Sequence, residues 1–176
     1  MPIQTPVVPL RVIIVCGGCN SGKSRTLRVL RDDYLRSRDG SLRFRRRLVN
    51  MEIRSLQEQC GTCDDEGRRC VIEKLRLWVN AARANHAILL IIPFTMKHDG
   101  RGGTLNEACI RPPIQWLESR RVRHNLVYLR REYGGPTMND DYDGLMRVYF
   151  DRIIESRREG ERVQARKLFQ FIRSVT

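Results

Sequence analysis

Apolar runs of strand length alternate with segments of helical periodicity along most of this chain. The first run, Leu10-Arg11-Val12-Ile13-Ile14-Val15-Cys16, is nearly continuous, which suits a strand buried on both faces of a parallel sheet. Residues 23–36 then place Leu27, Leu30 and Tyr34 on one face, with Val29 and Leu35 to its flanks, the spacing of a helix docked on a sheet. The same reading predicts a strand at 47–53, a helix at 66–84 lined by Val71, Leu75, Trp78 and Ala82, and a strand at 87–93. A helical region at 105–121, interrupted by Pro112 and Pro113, leads to a further strand at 124–130. Two helices are expected to close the chain. One, at 140–158, has a wide apolar face from Tyr142 to Ile154; the other, at 161–174, carries Val163, Leu168, Phe169 and Ile172, and Gly160 separates them.

Strands alternating with helices predict an α/β fold: a three-layer sandwich around a mainly parallel sheet with right-handed crossovers. The length of 176 residues suits one domain spanning 1–176, with the helices at about 140–174 as a lid or an interface. The proline-punctuated residues 1–9 read as an irregular lead-in. No apolar run reaches the ~18 residues that a membrane span needs. The N-terminus lacks the basic start of a signal peptide, so a cytoplasmic setting with six reduced cysteines is expected.

The sharpest chemistry lies between the first strand and the first helix. Gly17-Gly18-Cys19-Asn20-Ser21-Gly22-Lys23-Ser24 has the spacing G-x-x-x-x-G-K-S. Glycines allow left-handed turns and let backbone N–H groups converge on an anion, and the following helix N-terminus adds partial positive charge at the same spot. With this strand before it and helix after it, the chain resembles the P-loop NTPase superfamily. The resemblance implies that residues 17–25, Arg25 included, bind the phosphates of ATP or GTP. Lys23 would reach the β- and γ-phosphates and Ser24 would ligate Mg²⁺.

The compact layout over residues 10–131 looks like the nucleotide and small-molecule kinase branch of that superfamily. One departure bears on this. Many P-loop ATPases close a hydrophobic strand with an acid, but here the run 87–93 leads into Phe94-Thr95. That counts against motors and helicases. Small kinases often manage without that acid, and several place one after the second strand instead, where it serves Mg²⁺ or the acceptor hydroxyl. Glu52 stands there. The resemblance also implies arginines that neutralise the migrating phosphoryl group. Arg130 is the chosen candidate, among Arg101, Arg131, Arg147, Arg152, Arg157 and Arg158.

Net charge of +13 and a pI near 10.3 fit a polyanionic partner, and a compositional bias toward arginine fits equally, since only Lys23, Lys74, Lys97 and Lys167 of the 33 basic residues are lysines. The densest cluster is Arg43, Arg45, Arg46 and Arg47. It reads as a solvated edge that discourages strand pairing, with nucleic-acid contact, shared with C-terminal arginines, as the alternative. Cys60, Cys63 and Cys70 have spacing that invites zinc, but no fourth ligand lies near, and a loop with incidental thiols is the preferred reading. His86, His98 and His124 form no cluster. The leading function is therefore a phosphotransferase moving a γ-phosphate to a small molecule or nucleotide. A nucleic-acid-associated NTPase or polynucleotide kinase is the first alternative, and a non-catalytic nucleotide-dependent interaction protein the second.

Overall fold

The computed structural model describes residues 9–18, 21–61, 64–96, 107–131, 149–156 and 160–176. In chain order the elements are β1 (Arg11–Gly17), α1 (Lys23–Val29, prolonged by a wider π-helical turn Leu30–Leu35), β2 (Arg43–Phe44), β3 (Arg47–Met51), α2 (Leu56–Cys60), α3 (Asp65–Ala84), β4 (Leu89–Thr95), α4 (Glu107–Ser119), β5 (Arg123–Arg131), β6 (Arg152–Ser156) and α5 (Gly160–Val175). The sheet order is β2-β3-β4-β1-β5-β6. Only the β2–β3 pair is antiparallel; β3–β4, β4–β1, β1–β5 and β5–β6 are parallel.

The central position of β1 explains its apolar run. Val12 to Cys16 are all buried, and alternate side chains enter two separate cores. Val12, Ile14 and Cys16 pack with α3 and α4 residues such as Val71, Leu75, Val79, Ile110 and Leu117. Ile13 and Val15 pack with Leu27 and Leu30 of α1 and with Leu168 and Ile172 of α5. Helices cover both faces, so the α/β three-layer expectation holds. Among the described residues, no helix is long and apolar enough to cross a membrane.

The structure corrects several expectations. The stripe on α1 includes Leu35, which is fully buried rather than flanking. Arg36 N–H donates to Arg31 O, an i→i+5 bond, and with this wider turn Leu35 joins the same core as Leu30. Pro112 and Pro113 do not interrupt α4: the helix runs through both, held down by buried Ile110, Ile114 and Leu117. A short helix, α2, occupies a stretch to which the sequence pattern assigns no element. The helix predicted at 140–158 is overturned at its C-terminal end, where residues 152–156 form β6; residues 140–148 lie outside the described set. Asp151 sets the register of that strand. Its N–H donates to Leu126 O, and its carboxylate accepts from Leu126 N–H at 2.8 Å. Ile153 and Ile154 are β-branched, which suits a strand, and here they pair with the otherwise open edge of β5.

The cysteines also depart from expectation. Cys60, at the end of α2, is disulfide-bonded to Cys70 in the first half of α3, and Cys109 is disulfide-bonded as well. The prediction of six reduced thiols therefore fails, and zinc at Cys60, Cys63 and Cys70 loses two of its thiolates. Cys63 lies outside the described residues, and no metal-holding group of three His, Cys, Asp or Glu occurs among the described ones. Cys16 is a free, buried thiol whose proton is held more tightly by burial.

Candidate functional site

The site is built where β1, β3, β4 and β5 end. Gly17 closes β1, with Thr95 of β4 as its register partner, and Gly17 O accepts from Met96 N–H at 2.9 Å. A side chain at position 17 would collide with Ser21 Oγ and come within 3.1 Å of Leu129 O. Glycine thus lets Ser21 fold back over position 17, with the neighbouring strand close behind. Ser21 N–H donates to Gly18 O at 3.2 Å, and Gly22 turns the chain into α1 in the left-handed region, φ 81. Thr26 N–H then donates to Gly22 O at 2.8 Å, which starts the helix.

Lys23 is the first residue of α1, and it is only 5% exposed. Its Nζ donates to Gly18 O at 2.6 Å, Gly17 O at 3.1 Å and Ser21 Oγ at 3.2 Å. These are neutral oxygens of the loop itself. A buried ammonium held on carbonyls, at the N-terminus of a helix, forms a positive focus for an anion. Ser24 Oγ donates to Ile53 O at 3.2 Å, which brings the exit of β3 against the last residue of the G-x-x-x-x-G-K-S loop. Cys19 and Asn20 lie outside the described residues. Arg25 points elsewhere: its side chain is largely exposed and lies 3.7 Å from Glu161 at the start of α5.

Glu52 follows β3 directly, its N–H donating to Ile91 O at 2.9 Å. Its carboxylate is half-buried, and burial raises its proton affinity above the ordinary value, with Lys74 of α3 pulling the other way. Glu52 thus faces the α3 side of the sheet. Arg130, next to last on β5, is on the same side, two residues from Tyr128, which packs in that core and edge-on against Phe150. Burial holds the proton on Tyr128, while Arg130 and a hydrogen bond with the Gly18 backbone work against it. The structure therefore sets Glu52 and Arg130 on one face, flanking the loop. Arg152 lies beside Val127, well back from the strand ends, and Arg101, Arg147, Arg157 and Arg158 fall outside the described residues.

Sequence reasoning missed how the acid-free end of β4 is held. Thr95 N–H donates to buried Ser55 Oγ at 2.8 Å, and Thr95 Oγ1 donates to Glu58 Oε1 at 2.6 Å. Ser55 and Glu58 flank the start of α2 with the S-x-x-E spacing of a capping box. Neither caps the helix in the usual way; Ser55 makes no side-chain cap bond. Both side chains reach across to Thr95 instead. A carboxylate thus stands at the end of β4 after all, supplied by α2. The S-x-x-E pattern was the available signal, and only the fold shows that β4 is its target.

The P-loop between β1 and α1, with a mostly parallel sheet covered on both faces, defines the class: the chain has the P-loop NTPase fold. No known family's sequence profile matches it, nor does any curated protein sequence. Solved structures do. The APS kinase of Mycobacterium tuberculosis, solved with AMPPNP and APS, is similar with a TM-score of 0.56 and 9% identity over 94% of this chain and 98% of that one. The protein APE1195 gives 0.55 and 12%, over 96% and 97%. Shikimate kinase from Acinetobacter baumannii, solved with shikimate, gives 0.47 and 17%, over 96% of each chain.

Proposed function

We propose that this protein is a phosphotransferase that binds ATP or GTP with Mg²⁺ at residues 17–24 and passes the γ-phosphate to a small molecule or nucleotide. The observation that carries the reading is buried Lys23, its Nζ seated on the Gly17 and Gly18 carbonyls, with half-buried Glu52 next to the residue that touches Ser24. The donor set fits a magnesium nucleotide. Mg²⁺ takes oxygen ligands and keeps several waters, so one hydroxyl with a carboxylate nearby suffices. Ser24 would hold the metal, which would neutralise charge on the phosphates.

The chain's own residues account for the rest. Loop amides and Lys23 bind and orient the β- and γ-phosphates. Arg130 faces the migrating group and offsets its charge. Glu52, whose proton affinity is already raised by burial, accepts the acceptor's hydroxyl proton as the oxygen attacks the γ-phosphorus and the bond to the β–γ bridging oxygen breaks, releasing the nucleoside diphosphate. Ser55 and Glu58 fix the end of β4 beside the loop. The reading suits a cytoplasmic protein, where nucleoside triphosphate is supplied, and there the Cys60–Cys70 bridge would be open to reduction.

The test is calorimetric titration of Mg·ATP and Mg·GTP into the wild type and Lys23→Ala, followed by γ-phosphate transfer assays over a panel of hydroxyl-bearing metabolites. Tight binding by the wild type, its loss in the variant and transfer to one acceptor class are expected. Undiminished Mg·nucleotide binding by a folded Lys23→Ala would sink the proposal.

A further inference from the structure

At the other end of the sheet, the strand N-termini surround a cavity of about 410 Å³. Arg11 opens β1, Arg47 opens β3, Arg123 opens β5 and Arg45 stands in the β2–β3 turn; all four line the cavity. Phe44 and Ile88 supply an apolar wall. The length of β1 separates this cavity from the P-loop by roughly 20 Å, at about 3.3 Å per residue. It is no part of the nucleotide site.

Three observations set it apart from a solvated edge. First, Arg11 and Arg123 are direct partners in the β1–β5 register, where opposed like charges repel. The Arg11 guanidinium is lowered from its ordinary value by burial and then by Arg123, with Asp151 acting the other way. Second, Arg11 Nη1 donates to the neutral Asn125 Oδ1 at 2.6 Å, and the side chains of Arg45, Arg47 and Arg123 make no ion pair or hydrogen bond among the described residues. Third, the two-residue turn holds both Arg45 and Arg46 at positive φ, 48 and 67, where glycine or asparagine is the usual choice. This geometry sets the Arg45 guanidinium 5.2 Å over the Phe44 ring. An edge that only needs to repel other strands requires charge. It requires neither convergence on a cavity nor arginine in a left-handed turn.

We propose that this cavity binds a small phosphorylated molecule, its phosphate gripped by Arg11, Arg47 and Arg123 and its organic body resting on Phe44 and Ile88. Guanidinium forks match phosphate oxygens in pairs, and a dianion relieves the Arg11–Arg123 repulsion. The cavity has room for one phosphate and a ring-sized group, not for a run of nucleotides.

The experiment uses Lys23→Ala, so that the P-loop is silent and the outcome is independent of the phosphotransferase reading. Phenyl phosphate and inorganic phosphate are titrated calorimetrically into this variant and into Lys23→Ala/Arg47→Gln/Arg123→Gln. Both substituted arginines are exposed, and a circular-dichroism melt checks that the triple variant folds. Saturable binding of one phenyl phosphate per chain is expected, tighter than inorganic phosphate and weakened about tenfold or more in the triple variant. Absence of saturable binding to Lys23→Ala, or equal affinity in the triple variant, would overturn the proposal. Equal affinity for the two probes would overturn the organic-body contact. A short oligoribonucleotide that displaces phenyl phosphate, with affinity falling steeply in salt, would replace the small molecule with a polynucleotide.

Discussion

The two ends of this sheet concentrate positive charge by opposite means. At the C-terminal end, one buried lysine sits on backbone carbonyls of a loop whose shape glycine permits. At the N-terminal end, four arginines from separate elements converge around a cavity, three of them exposed. The first site is made by backbone and is local in sequence. The second is made by side chains brought together from positions 11, 45, 47 and 123. A backbone-built site binds a phosphate of fixed geometry and tolerates no change at its glycines. A side-chain-built site loses affinity one arginine at a time.

The largest expected effect falls on the first end. Lys23→Ala should weaken Mg·nucleotide binding by roughly a hundredfold to a thousandfold, because a charge-assisted contact is lost inside a water-poor loop. Calorimetry on both variants tests the contrast, since Arg123→Gln should leave nucleotide affinity unchanged. A shared loss would merge the two ends into one site.

Glu52→Gln should lower turnover by about a hundredfold, the usual scale for losing a positioned base. Its stability should move the opposite way. A carboxyl whose proton affinity is raised by folding holds its proton more tightly in the folded state. The stability this confers at low pH is lost as pH rises through the raised value. The melting temperature of Glu52→Gln minus that of the wild type should therefore climb as pH rises from below the ordinary glutamate range. A difference that is flat with pH would show that Glu52 is solvated and not poised.

Opening the Cys60–Cys70 bridge by Cys70→Ser should cost about 2–3 kcal/mol for a loop of this size. Amide exchange should rise first at α2 and Thr95, because α2 carries Ser55 and Glu58 to the end of β4. Exchange rising equally at Arg11 and Arg123 would show that the bridge serves the whole fold and not the P-loop end. The smallest effect is expected of Thr26→Val. Thr26 Oγ1 donates to buried Gln164 Oε1 at 2.8 Å, and the Gln164 amide nitrogen already has no partner among the described residues. Leaving Gln164 entirely unpaired between α1 and α5 should cost about 1–2 kcal/mol in a chemical denaturation curve. No effect on phenyl phosphate binding is expected.

Much of the fold was legible because its cues are local. The continuous apolar run of β1 and β4 requires a doubly covered sheet, and the spacing of Leu27, Leu30 and Tyr34 requires a helix. The P-loop was legible for the same reason: strand, glycines, lysine and helix are contiguous. The β6 strand was not. Tyr149, Phe150, Ile153 and Ile154 repeat at a spacing that also suits a helix, and only the open edge of β5 with Asp151 on Leu126 selects a strand. Leu35 was misread because a π-helical turn, invisible in composition, changes which residues share a face.

The sequence by itself determined where the glycine-rich loop forms and which strands are buried, since both rest on neighbouring residues and on backbone geometry that their identities dictate. Tertiary structure alone decided that Glu58 stands at the end of an acid-free strand, that Cys60 bonds to Cys70, and that Arg45 and Arg47 line one cavity with Arg11 and Arg123. Those contacts join residues far apart in the chain, and their partners are chosen by packing of the sheet.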